Sequence, residues 1–120
     1  MTLVEAMNLN QTAAHAALAV PGVAGLQPGL GHRLANAAAL AQQHIGIAAQ
    51  PPEAGIRAER TFQPLGWHVE VRCILNQERR ALDTARDVRR QVRSAVTAHL
   101  ARNGTPEPVT ILVTVTGSTP

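Results

Sequence analysis

The sequence has no lysine and no tyrosine, and a single cysteine, tryptophan and phenylalanine in 120 residues. Each shortage excludes something. One cysteine, Cys73, cannot close a disulfide within the chain, and its place in an alternating stretch turns it inward as a small hydrophobe with no redox role. With no lysine, the glycines at 22, 25, 29 and 31 cannot form a P-loop, and they read as turns. With aromatics at 2%, the platforms on which nucleic-acid bases stack are nearly missing. No stretch approaches the roughly 20 apolar residues that cross a bilayer. The N-terminus carries no basic region followed by an apolar run, so a cytoplasmic protein is expected.

What the chain does have is small apolar side chains and arginine. Apolar residues make up 45%, with alanine and valine in place of the missing aromatics. A chain of this length is expected to form one domain, residues 1–120, and to bury about two thirds of its unfolded surface without a metal or disulfide. All eleven basic residues are arginine, which reads as GC-rich coding bias. The sequence pI of 11.0 overstates the charge, since the formal excess is only +3 and arginine titrates above 12.

The organising stretch is Ala81 to Arg102. Leu82, Ala85, Val88, Val92, Ala95, Val96, His99 and Leu100 recur at three- and four-residue steps, which predicts a helix with one buried face. Arg86, Arg90 and Arg93 line one border of that face, and Arg89 falls inside the border with its stem able to snorkel. The flanks, 67–75 and 109–116, alternate like half-buried strands. Trp67, Val69, Val71, Cys73 and Leu75 face one side in the first, and Val109, Ile111, Val113 and Val115 in the second. Strand, crossover helix and parallel strand follow from this order.

Upstream, Thr2 and Glu5 form a capping box for a helix over 2–19 with the stripe Leu3, Met7, Asn10, Ala14, Ala17 and Leu18. Val20 to Leu26 reads as a helix exit and a short edge strand. Residues 27–54 are rich in glycine, proline, alanine and glutamine and form a variable insertion, with helical spacing between Gly31 and Gly46. Gly55 to Gln63 alternates Ile56, Ala58 and Phe62 against Arg57, Glu59 and Thr61, with Arg60 as the exception, and Pro64 to Gly66 turns it into the next strand. Asn103-Gly104 ends the long helix with a pair suited to left-handed geometry. The expected fold is therefore α+β, a two-layer sandwich. It has a mixed sheet of three to four strands with two main helices packed on one face.

These stretches taken together resemble the alkaline shock protein family of Gram-positive bacteria. The likeness rests on a helix running into Val20-Pro21-Gly22-Val23-Ala24-Gly25-Leu26, on Gly55-Ile56-Arg57 opening a strand, and on the alternating strand 67–75. It continues through Val88-Arg89-Arg90-Gln91-Val92-Arg93-Ser94-Ala95-Val96 and the valine-alternating strand closing at Gly117. Residues 27–54 lie outside it, and Asn76 to Arg80 replaces the tyrosine-glycine often seen before the family's long helix. The resemblance implies a non-enzymatic envelope-stress accessory or scaffolding protein that self-associates as a homo-oligomer and is held at the membrane by a small anchoring partner. It supplies no catalytic residue. The composition would suit an actinobacterium.

The residues themselves point to no chemistry. His15, His32, His44, His68 and His99 are scattered without zinc-ligand spacing, and no cofactor is expected. Cys73 faces inward while His68 lies on the opposite side of its strand, so no activated nucleophile forms. The candidate partner-binding site is the stripe Arg86, Arg89, Arg90 and Arg93. Its bland reading is a solvated helix flank with a weak Asp87–Arg90 pair. Its functional reading is a surface for an acidic protein, anionic headgroups or nucleic acid. A small basic nucleic-acid-binding module is the alternative, disfavoured by the missing aromatics and by Asp83 and Asp87 beside the arginines.

Overall fold

The computed structural model describes residues 3–28, 52–103 and 106–120, with side chains of the first helix described from Asn8 onward. The Thr2–Glu5 capping box, the helix expected between Gly31 and Gly46, and Gly104 lie outside these residues. In chain order the elements are α1 (Leu3–Leu18), β1 (Val23–Leu26), a single 3₁₀ turn (Pro52–Gly55), β2 (Ile56–Phe62), β3 (Leu65–Asn76), α2 (Ala81–Arg102) and β4 (Val109–Thr119).

β3 is the spine of a mixed four-stranded sheet. β2 pairs antiparallel along its first half, from Ile56 opposite Val71 to Phe62 opposite Leu65. β1 continues the same edge antiparallel, with Leu26 opposite Cys73. On the other edge β4 runs parallel, with Trp67 opposite Val109 and Val71 opposite Val113. The crossover expected between the two alternating stretches is thus present, and α2 is its helix. α1 and α2 pack against each other on one face of the sheet, which gives the two-layer α+β sandwich.

Period-2 alternation explains the sheet. Trp67, Val69, Val71, Cys73 and Leu75 are buried toward the helices, and His68, Glu70 and Arg72 sit half-buried on the open face. In α2 the buried row is Thr84, Val88, Val92 and Val96, a strict four-residue repeat. Leu82, expected in that row, is 56% exposed, because its helical phase places it on the flank of Arg86, Arg89 and Arg93, four, seven and eleven residues on, and Thr84 takes the first core position. In α1 the row is Leu9, Ala13 and Ala17, joined by Ala14, and Leu18 is exposed. Alanines at these positions let the helix sit close to the valines of α2 and β3.

One further expectation is corrected. Phe62 does not face the core but is 73% exposed at the hairpin tip, where β2 ends and no described residue covers it. Arg60, the exception in the alternation, takes the inward position instead. Its guanidinium lies 5.6 Å from the Trp67 ring centroid and pairs with Glu107, whose side chain is only 5% exposed. At the end of α2, Asn103 is the C-cap at φ −92°, its side-chain amide donates to the His99 carbonyl at 2.8 Å, and Gly104, the position that left-handed geometry would take, lies outside the described residues.

One glycine is required by its backbone. Gly22 has φ +100° in the turn between α1 and β1, and a Cβ there would lie 2.7 Å from the Thr84 hydroxyl. Its carbonyl accepts from the Asn76 amide at 2.8 Å, which ties the turn to the end of β3.

Candidate functional site

Helical spacing brings the four arginines together. Positions 86, 89, 90 and 93 fall three or four residues apart, so their side chains share one flank of α2. All four are exposed, and with Ser94 they line one shallow hollow on the side of the helix away from Val88 and Val92. Arg89 is as exposed as the others.

The charges in this hollow are not equivalent. Arg90 pairs with Asp87 at 3.1 Å, the i, i+3 contact read from the sequence. Asp87 also accepts from Arg79 at 3.0 Å, and the other terminal nitrogen of Arg79 donates to the Pro21 carbonyl at 3.0 Å. Asp87 is therefore shared between a structural arginine, which fixes the β3–α2 turn to the α1–β1 turn, and a surface one. Among the described residues Arg86, Arg89 and Arg93 form no ion pair. The contact of Arg79 with Pro21 was hidden in the sequence because the two lie 58 positions apart, whereas Asp87 is only eight away.

A second hollow lies between the helices, lined by Asn8, Gln11, Thr12, His15, Ala16, Ala95 and His99. It brings His15 and His99, 84 positions apart by number, to one groove, and the Thr12 hydroxyl lies 3.4 Å from His99 Nδ1. Two imidazoles without a carboxylate or thiol make an incomplete metal donor set, and no group of three His, Cys, Asp or Glu converges among the described residues. Cys73 is buried beneath the sheet, and desolvation pushes its thiol pKa up from the ordinary 9.0, which keeps it protonated and unreactive. Among the described residues no helix is long and apolar enough to cross a membrane.

Neither a family model nor a curated protein matches the sequence. Solved structures described as MamM CTD variants align over most of the chain. Two of them cover 95% of this chain and 96% of theirs at 16% identity with a TM-score of 0.49. A third covers 92% and 95% at 16% identity with a TM-score of 0.47. At this identity and score, residue roles and contacts of those proteins do not carry over to this chain.

Proposed function

We propose that the protein is a non-enzymatic accessory or scaffolding protein of the alkaline-shock type, acting in envelope stress through protein contacts and self-association. In this reading a small anchoring partner holds it at the membrane. The observation that carries the reading is the hollow on α2. Three guanidiniums there, those of Arg86, Arg89 and Arg93, are exposed without an acidic partner among the described residues. Arginine forks of this kind suit bidentate capture of carboxylates on an acidic protein segment. The order of elements supports the family reading too, since the strand, long helix and valine-rich strand of the resemblance occupy β3, α2 and β4.

The test is the triple variant Arg86→Glu, Arg90→Glu, Arg93→Glu. Exposed charges contribute little to stability, so the variant keeps its fold. Recovery of co-purifying partners and of the protein in the membrane fraction is expected to be lost, because reversed rim charges abolish complementarity. If the folded variant recovers the same partners as the wild type, the arginines are a solvated flank and the reading fails. A nucleic-acid module would be revealed instead by duplex binding whose affinity falls steeply with salt.

A further inference from the structure

We propose that the outer edge of β4 is a self-pairing surface, on which a second copy of this chain adds its own β4 antiparallel to make one continuous sheet. This deepens the self-association reading above and rests on it.

The backbone geometry says which groups are available. The Trp67 amide donates to the Pro108 carbonyl at 2.9 Å, and Trp67 lies opposite Val109. In a parallel ladder that pattern repeats every two residues, so the even positions of β4 bond to β3 while the odd ones turn both N–H and C=O outward. The outward groups up to the register shift belong to Val109, Ile111, Val113 and Val115. Among the described residues no strand pairs with that edge.

The side chains do nothing to protect it. Edge strands are normally blunted by charge, proline or short length. β2, at the opposite edge, is seven residues long and carries Arg57, Glu59 and Arg60. β4 is eleven residues long, has no charged residue and no proline, and eight of its residues are β-branched. A strand of that kind is complementary to another of the same kind, and the lack of charge lets two copies of a chain with net charge +3 approach there. Residues 29–51 leave and rejoin the described chain beside Gln27 and Pro52. Both lie on the far side of β3, where the Gln27 amide bonds the Arg72 carbonyl.

The register follows from exposure. Leu112 is 47% exposed on the open face and Val115 is 44% exposed on the other. A twofold axis through Leu112 places Ile111 opposite Val113 of the second copy as a hydrogen-bonded pair. Leu112 then faces its own counterpart in a non-hydrogen-bonded pair, where side chains come closest. Both leucines are covered, and the twofold closes the assembly at a dimer. A single strand edge buries less than the roughly 800 Å² per partner of a standard interface, so the association is weak and reversible, of micromolar order.

Sedimentation velocity over a hundredfold concentration range, with the full chain, tests the proposal together with disulfide trapping. The wild type is expected to pass from monomer to dimer. Val115→Lys, which sets a charge on the edge, and Val115→Pro, which removes an outward N–H without touching the β3 ladder, are each expected to shift that transition at least tenfold to higher concentration. Leu112→Cys should form a covalent dimer on mild oxidation, since Cα atoms of a non-hydrogen-bonded pair lie within disulfide range. Thr97→Cys on α2 should not, and the buried Cys73 should stay out of the reaction. A dimer indifferent to both Val115 variants, or Leu112→Cys crosslinking no faster than Thr97→Cys, overturns the edge and leaves self-association standing. A wild type monomeric throughout overturns both, and protected Ile111 and Val113 amides in that monomer would assign the edge to residues 29–51.

Discussion

Two buried side chains show how single residues set the tightness of this small-residue core. Thr84 sits at the head of the α2 core row, fully buried, and its hydroxyl has no hydrogen-bond partner. A buried hydroxyl without a partner is destabilising by about 1–3 kcal/mol relative to an apolar group of the same shape. Thr84→Val is therefore expected to raise the melting temperature by about 3–5 °C, read by thermal denaturation. A fall would mean that the hydroxyl finds a bonding partner in solution. The same contact explains why the neighbouring turn tolerates only Gly22: a methyl there would strike the Thr84 side chain in a backbone conformation already unfavourable for it. At the other end of the core, Trp67 is held by chemistry of a different kind. Arg60 stacks over its ring and pairs with Glu107, so an ion pair lies against the one tryptophan of an aromatic-poor sequence.

At the scale of elements, α2 covers the sheet with a single buried row. Val92 lies at the centre of its buried row and belongs to the core with Val69, Val71 and Leu9. Val92→Asp is expected to unfold the domain, because an unpaired carboxylate there costs several kcal/mol against a total stability of about 5–15 kcal/mol. A cooperative melt at the wild-type temperature would show that the row is not core. Strong periodicity made this element legible, and the alternation of β3 did the same for the parallel pairing with β4. What the sequence concealed was local. Leu82 is apolar but shares its helical phase with Arg86 and Arg93, not with the row of Thr84 and Val88. Phe62 has the right phase but sits where the hairpin ends, and Arg60 has the wrong polarity but the right position once Glu107 comes near. Periodicity describes a face. It does not say how far the facing layer extends or which distant charge will neutralise an inward one. The candidate site divides the same way. The four arginines were visible as one flank of a helix, whereas the anchoring of Arg79 on the Pro21 carbonyl depends on two turns meeting in space.

At the scale of the whole molecule, the two proposed surfaces lie on different layers and differ in physics, so salt separates them. The hollow on α2 is a cluster of exposed charge. Attraction across it is screened beyond a Debye length of about 8 Å at physiological ionic strength and about 3 Å at 1 M. The β4 edge carries no charge, and its pairing rests on backbone hydrogen bonds and covered apolar side chains. Raising sodium chloride from physiological strength to about 1 M is therefore expected to release acidic partners, while the monomer–dimer transition moves less than threefold. The variants should divide in the same manner. Changing three arginines to glutamate moves the formal charge from +3 by −6 to −3, yet should leave dimerisation in place because none of the three lies on β4. Val115→Lys should shift the dimer at least tenfold to higher concentration and keep partner capture, at lower avidity where the second copy is lost. Loss of the dimer in the arginine variant, with its fold intact, would show that the two surfaces are one. Partner capture indifferent to salt would instead place the partner on an apolar surface and remove the arginines from its recognition.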